Sequence, residues 1–264
     1  MSGDRISLDA VERATMPGQR PGAVLRVQLE APPPASPLAG LRAGASIAIA
    51  RLRRRGAALT ARHGAALVIV GAQIELRAGT SGAVDRALTG AFRLVIPLVV
   101  LLISAEAAGR GNLREGLWPL ARYGVSRRDL ALGVVAVNLG AAAILAAALA
   151  ALAVLVAHGP SAPPLLADAA VSAWIGALAG MAHAATFALG GAFGKRGWAR
   201  LVPFFAHFML AGSTSFAAAL LPGAHAQSLL GGAAPLHLSP PGSYAALLIQ
   251  SLLFTLLVAL KCRE

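Results

Sequence analysis

The chain has 264 residues, of which 57% are apolar and only 13% are charged, and its mean hydropathy is +0.69. This composition excludes an ordinary soluble globular protein and indicates an integral membrane protein. The net charge of +12 would suggest nucleic-acid binding in a soluble chain. In a membrane protein, however, basic residues first report topology, so we expect no nucleic-acid partner.

Residues 1–37 mix charged residues with "PGQRPG" and "APPPASP". Such a composition predicts a loosely ordered cytoplasmic lead. We expect no cleavable signal peptide, because no apolar run begins before the mid-forties. A helix lying on the inner leaflet is predicted over residues 38–55, where arginines crowd the end of an apolar stripe. The stripe comprises Leu38, Leu41, Ala45, Ile49 and Leu52.

Six later windows are each apolar over the roughly 20 residues that a helix needs to cross a bilayer. The chain is therefore predicted to be an all-α integral membrane protein whose transmembrane domain covers residues 38–264. Arg62 and Arg93 lie near the ends of two windows, where long side chains reach the headgroups. The predicted spans cover about 56–75, 88–107, 130–157, 165–193, 201–221 and 243–260.

Basic residues are distributed unevenly between the two sides of this predicted topology. With the N-terminus inside, 20 of the 23 Lys and Arg residues lie in cytoplasmic segments, and the outer side keeps only Arg77, Arg86 and Arg93. The positive-inside rule therefore predicts that both termini are cytoplasmic. For a bacterial-type cell this places the chain in the inner, or cytoplasmic, membrane.

The inner loop after the second span, "GRGNLREGLWPLARYGVSRRDLALG", predicts a helix, a glycine hinge and a second helix start. Asn112 is a candidate N-cap with Glu115 at the third position, and Gly124 is a candidate stop. Ser126 is a candidate cap for the next helix, with Asp129 at its third position. One face of the short helix carries Leu113, Leu117 and Leu120, flanked by Trp118. Such a helix would suit the transmission of a push from a soluble partner to the membrane helices. The alternative is that this segment is a basic loop lying on the lipid surface.

Further along the chain, small residues favour close helix packing, and Gly176 with Gly180 forms a small-xxx-small pair. A merely alanine-rich composition is the alternative explanation. The "GGAFGKRG" stretch at 190–197 fails as a phosphate-binding loop, because Leu189 stands where glycine is needed and Arg196 where Ser or Thr is needed. We therefore expect no ATPase or other enzymatic activity, and no bound cofactor, in this chain.

Polar residues within the later spans are candidates for lining a transport path, since intramembrane ionisable groups are commonly functional. Structural histidines and hydroxyls bonded to their own helix are the alternative. No acidic or Cys partner lies at ligand spacing, so no metal site is expected. The candidates are His183, His207, Ser213, Thr214, Ser215 and Gln250.

The segment 222–242 is half apolar but broken by Gly and Pro, which predicts short helices that touch or re-enter the outer leaflet. The single cysteine, Cys262, leaves no disulfide framework and is expected to be a free cytosolic thiol, with palmitoylation as the alternative.

The pattern resembles permease subunits of ABC transporters of the type-2 exporter class. In that family the second span typically ends in a glutamate, followed by a "G-T-L-x-x-L-L" helix and a "P-V-S-R-x-x-(I/L)" turn. Here Glu106 stands at the span end, "GNL" begins at Gly111, and "GVSRRDLALG" begins at Gly124. Gly124 replaces the usual proline, Asn112 the threonine, and the helix is about four residues longer. The span count and interfacial helix extend the similarity over residues 38–260. FtsX-like permeases also contain "G-V-S" turns, but they usually have four spans and a large outer domain, which differs from the six spans predicted here.

The resemblance implies a dimer, with itself or with a sister permease, that exports a substrate. Two cytoplasmic ATPase subunits would bind ATP and Mg, and a groove in each would receive the short inner-loop helix. Glu106, Arg114, Glu115, Trp118 and Arg122 would transmit the coupling. The whole predicted coupling set is Glu106, Asn112, Leu113, Arg114, Glu115, Leu117, Trp118, Leu120 and Arg122.

A membrane anchor or scaffold that recruits cytosolic partners is the alternative function. It would use the same inner loop together with the Pro-rich lead. A secondary transporter is disfavoured because the spans contain few charged residues to couple an ion.

Overall fold

The computed structural model describes residues 37–79, 82–109, 111–159, 164–193, 195–210 and 212–263. The lead predicted over residues 1–37 lies outside this part, apart from its last residue. Within the described ranges the regular structure is entirely helical. Five of these helices are long and apolar enough to cross a membrane. The chain is therefore an all-helical protein whose long apolar helices indicate membrane embedding.

The helices follow one another with short connections. In chain order they are α1 Pro37–Leu52, α2 Arg55–Arg77, α3 Ala83–Gly90, a π-helical turn Ala91–Val95, α4 Ile96–Ala108, α5 Leu113–Ala121, α6 Arg127–Ala157, α7 Leu165–Ala192, a 3-10 helix Lys195–Arg200, α8 Leu201–Leu210, α9 Phe216–Ala219, α10 Pro222–Leu229, a 3-10 helix Pro235–His237 and α11 Pro240–Lys261. The π-helical turn joins α3 and α4 into one continuous helix.

Five predicted spans coincide with long helices: α2, the continuous α3–α4 helix, α6, α7 and α11. The remaining predicted span, the fifth in chain order at 201–221, is not one helix. Helix α8 ends at Leu210, and Gly212 follows with a left-handed φ of +81°, a conformation that favours glycine and ends helices. A single continuous helix over 201–221 is therefore not formed, and the count of six spans is not confirmed. The short helices predicted over 222–242 are confirmed as α10 and the Pro235–His237 turn.

Helices α6 and α7 form the centre of the bundle through small residues. A Cβ added at Gly180 would lie 2.6 Å from the carbonyl oxygen of Ala142, and one at Gly176 would lie 2.7 Å from that of Ala146. Only glycine permits this approach of the two backbones. The predicted close packing of the Gly176 and Gly180 pair is therefore realised within a single chain.

Helix α1 packs against α6 in the same way. A Cβ at Gly44 would overlap the carbonyl oxygen of Leu130, and one at Gly133 would overlap that of Leu41. The face of α1 that is buried in the protein thus carries glycine and Ala48, whereas Leu38 and Ile49 remain exposed. That outward apolar face suits the predicted position of α1 on a membrane surface.

Candidate functional site: the α5 helix and its supports

The start of α5 and the start of α6 are capped by the residues that the sequence indicated. The Asn112 side chain accepts a hydrogen bond from the backbone N–H of Arg114 at 2.8 Å, and Ser126 accepts one from Asp129 at 3.4 Å. Gly124 has a left-handed φ of +81° between the two helices. The predicted helix, hinge and second helix start are confirmed, although the helix ends at Ala121, three residues before the Gly124 stop.

The leucine face of α5 is buried in the membrane bundle. Leu113 and Leu117 have no exposed surface, and Leu120 is partly buried. They join a cluster built from the ends of α1, α4, α6, α7 and α11, with Ala107, Leu130 and Val258 among its members. These leucines therefore attach α5 to the bundle, and Leu113 and Leu117 leave no surface for contact with another protein.

The opposite face of α5 is exposed. Trp118 exposes 47% of its surface, and Glu115 and Arg122 are also exposed, whereas Arg114 is half-buried. The Arg122 guanidinium carbon lies 4.9 Å from the centre of the Trp118 ring, a cation–π contact. An aromatic side chain flanked by charges of both signs is thus presented outward from a helix whose other side is fixed.

Two arginines hold the carboxyl end of α4, where α5 begins to branch off. Arg200, only 3% exposed, donates from Nη1 to the Gly109 carbonyl at 2.8 Å and from Nη2 to the Gly111 carbonyl at 3.1 Å. Arg51 donates from Nη1 to the Ala107 carbonyl at 3.2 Å. Helix carbonyl ends carry partial negative charge, which favours cations. The two arginines thereby tie α1 and the α7–α8 connection to the α4–α5 connection.

Burial has an electrostatic consequence for both arginines. Desolvation lowers the pKa of Arg200, and the nearby charge of Arg51 lowers it further. The pKa of Arg51 is likewise lowered by burial and then by Arg54. The carbonyl acceptors stabilise the charged forms, but the Nε of Arg200 finds no acceptor among the described residues.

The glycine pair at 190–191 has a packing role. A Cβ at Gly190 would lie 2.8 Å from the carbonyl oxygen of Ala199, and one at Gly191 would contact the Arg200 guanidinium. These glycines admit the Arg200 segment against α7, which explains the stretch that fails as a phosphate loop. The sequence analysis did not identify Arg200 or Arg51, because a basic residue in an inner loop gives no local sign of its acceptors.

Glu106 is placed apart from the outward face of α5. It lines a cleft of about 520 Å³ together with Arg51, Arg54 and Arg55, beside the start of α2. A Cβ at Gly56 would lie 3.0 Å from its Oε1. The amino end of a helix and neighbouring arginines both favour a carboxylate. Glu106 therefore sits at the junction of α4 with α2.

The two intramembrane histidines meet each other. The rings of His183 in α7 and His207 in α8 are 5.0 Å apart in an edge-to-face arrangement, and His183 also stacks on Phe187. The Nε2 of His207 lies 3.1 Å from the carbonyl oxygen of Arg93 in the π-helical turn. No group of three metal-ligating side chains occurs within the described ranges. The geometry fits hydrogen-bonded packing histidines at the junction of three helices.

The hydroxyl residues expected inside the fifth span lie instead in the turn after α8. Ser213 donates to Ser215 at 2.9 Å, and Ser215 caps α9 by accepting from the Ala218 N–H. The carbonyl of Thr214 accepts from Leu236. Their predicted position within a helix is wrong, because the backbone turns at Gly212.

Gln250 in α11 reaches the same broken region. Its Nε2 donates to the Ala219 carbonyl at 2.9 Å, and the Nε2 of His225 lies 2.8 Å from the same oxygen. The Oε1 of Gln250 and the Nδ1 of His225 are buried and have no partner among the described residues. His225 is a residue that the sequence analysis left outside its candidate set, since its loop position gave no sign of burial.

Comparison of the chain with protein-family models, with curated proteins and with solved structures gives no match. The function is therefore inferred from the geometry of α5, its fixed leucine face and its outward tryptophan, together with the long apolar helices.

Proposed function

We propose that the chain is the membrane-spanning permease subunit of an ABC exporter. In this proposal α5 is the coupling helix that docks into a separate cytoplasmic ATPase subunit, which binds ATP and Mg. One observation carries the proposal. Helix α5 has its leucine face in the bundle and Trp118 outward, Asn112 caps its amino end, and Ser126 caps the start of α6 directly after it.

Such an arrangement suits the transmission of force. A push on Trp118 acts on a helix whose leucines pack against the ends of several long helices. Asn112 caps the start of α5 and Ser126 caps the start of α6, so the connections on both sides of α5 are short and locally ordered. Arg200 adds a link to the α7–α8 connection. Movement of a partner would therefore reach α4, α6 and α7 together, because close-packed helices move as units rather than deform.

The remaining features are assigned within this proposal. The fifth membrane segment consists of α8 with the short α9 and α10, rather than one helix, and both termini are cytoplasmic at the inner membrane. Two such chains, identical or sister, enclose the export path. Its candidate polar residues that lie within helices are His183, His207 and Gln250.

The proposal is tested by co-expressing the chain with candidate ABC ATPase subunits from its own genome and purifying by a tag on the permease. Trp118→Ala is expected to lower ATPase recovery at least tenfold, since a central aromatic anchor contributes about 2 kcal/mol or more to an interface. The matched control is Trp198→Ala, which removes an exposed tryptophan from the 3-10 helix before α8.

A stable complex with ATP hydrolysis in the unmodified pair, lost only with Trp118→Ala, would support the proposal. Recovery that is equal in both variants would remove α5 from the interface. A chain that purifies alone and stimulates no ATPase would instead favour a membrane scaffold.

A further inference from the structure

A basic groove lies beside α5, between the start of α6 and the end of α11. It has a volume of about 830 Å³, and its walls carry Arg122, Arg127, Arg128 and Arg263 together with Trp118. We call it the arginine groove. Its one acidic lining residue, Asp129, is half-buried and faces α1, where a Cβ at Gly40 would lie 2.7 Å from its Cβ.

Four arginines and one carboxylate line the arginine groove, so the part of the chain that the structure describes leaves it with a net positive charge. Within those ranges none of its four arginines makes an ion pair or donates a side-chain hydrogen bond, and Arg122 lies over the Trp118 ring. Grouped guanidinium groups without acceptors repel one another. An anion with several oxygens would relieve this repulsion and accept paired N–H groups in the planar geometry that arginine favours.

The position of the groove at the ends of two candidate spans indicates the source of this anion. Arg127 and Arg128 are the first two residues of the 31-residue apolar helix α6, and Leu130, in the same turn, is already fully buried. Arg263 follows the last residue of α11 by two positions. Both helices are candidate spans. Residues at the end of a span lie at the level of the lipid headgroups.

We propose that the arginine groove binds the headgroup of an anionic phospholipid, with its phosphate held by Arg127, Arg128 and Arg263. The site then fixes a lipid between α5, α6 and α11. An acidic protein segment would meet the same charges, but it would have to enter at headgroup depth, where lipid phosphate is already abundant. This inference does not depend on an ATPase partner.

The test measures lipid retained by the full chain after purification from micelles that contain equal amounts of phosphatidylglycerol and phosphatidylcholine. The double variant Arg127→Gln/Arg128→Gln is expected to retain about tenfold less phosphatidylglycerol, with phosphatidylcholine unchanged. Its matched control is Arg42→Gln/Arg53→Gln, which removes the same charge from two exposed arginines of α1 and the connection after it. The single variant Arg263→Gln, beyond the last span, provides a second measurement if the double variant does not fold.

An equal loss in the groove and control variants would show general surface attraction and overturn the site. Unchanged retention in Arg263→Gln and in the double variant would do the same. Displacement of the lipid by millimolar inorganic phosphate alone would identify a free-phosphate site instead. Loss of a co-purifying protein, with lipid retention unchanged, would assign the arginine groove to an acidic protein partner.

Discussion

The helical bundle is interrupted at two places that are treated in opposite ways. At the inner connection of the proposed topology, residues 109–126, the exposed helix ends are capped by Asn112 and Ser126, and the carbonyls of α4 are held by Arg51 and Arg200, with the Arg200 Nε alone lacking a partner among the described residues there. At the outer segment, residues 212–239, α9 is capped by Ser215, but polar atoms behind it remain unpaired.

These unpaired atoms are the Nδ1 of His225, the Nε2 of Gln227 and the Oε1 of Gln250. Within the described part of the chain they have no acceptor or donor, and a buried polar group without a partner stabilises no single conformation. The comparison teaches that the inner connection is built as a fixed mechanical link. The unpaired donors and acceptors of the outer segment can make further hydrogen bonds, as a segment that changes its hydrogen-bond partners would require.

The strongest test of the fixed inner link is Arg200→Met. It removes two charge-assisted hydrogen bonds and leaves the carbonyls of Gly109 and Gly111 without this donor, so the free energy of unfolding should fall by about 4 kcal/mol. Detergent-induced unfolding in mixed micelles measures it. Arg53→Met, at an exposed arginine, is the control and should change the value by less than about 0.5 kcal/mol. Equal effects of the two substitutions would show that the link is not fixed by Arg200.

The next largest effect on the free energy of unfolding is expected to distinguish the buried face of α5 from its exposed face. Leu117→Ala removes a fully buried side chain and should lower the free energy of unfolding by about 3 kcal/mol, because a cavity forms in the cluster beneath α5. Trp118→Ala, on the exposed face, should lower it by less than about 1 kcal/mol. Detergent-induced unfolding in mixed micelles measures both values. A larger loss from Trp118→Ala than from Leu117→Ala would reverse the assignment of the faces.

The outer segment predicts a smaller effect of opposite sign. Gln250→Leu replaces a half-satisfied amide, while the Ala219 carbonyl keeps its contact with His225. The free energy of unfolding should therefore stay level or rise, by up to about 1 kcal/mol. Asn112→Leu removes a fully used capping amide at the inner connection and should lower it by about 1 kcal/mol. Equal losses from both substitutions would end the distinction between the two regions.

The inner face makes a last prediction that needs no loss of stability. Cys262 has no exposed surface, and burial raises the pKa of its thiol to about 11, against the opposing charges of Arg114 and Arg127. Because the thiolate is the reactive form, alkylation by a maleimide should be slow at pH 7.5 and rise with pH up to about 11. A cysteine placed at exposed Ser46 in a Cys262→Ala chain is the control and should react at least tenfold faster. Comparable rates would show that the end of α11 opens readily. Palmitoylation at Cys262 is disfavoured by the same burial.

Local sequence signals predicted the inner connection well. Asn112, Gly124 and Ser126 act within a few residues of themselves, so their caps and turn are readable from spacing alone. The same signal was available at the outer segment, where "AGSTS" contains Gly212, but the apolar residues on both sides favoured one continuous span. Hydropathy is averaged over a whole window, so it does not detect a helix break that a single left-handed glycine creates within that window.

The sequence by itself determined the membrane-type composition, five of the long helices, the short α5 helix and its caps, because hydropathy and capping act over one or a few turns. Only the tertiary structure decided that Arg200 and Arg51 hold the end of α4, that His183 meets His207, and that the α5 leucines face inward. These contacts join residues about 25 to 90 positions apart. The approach of α6 to α7 and of the Arg200 segment to α7 depends on glycines whose neighbours are defined only when the helices have packed.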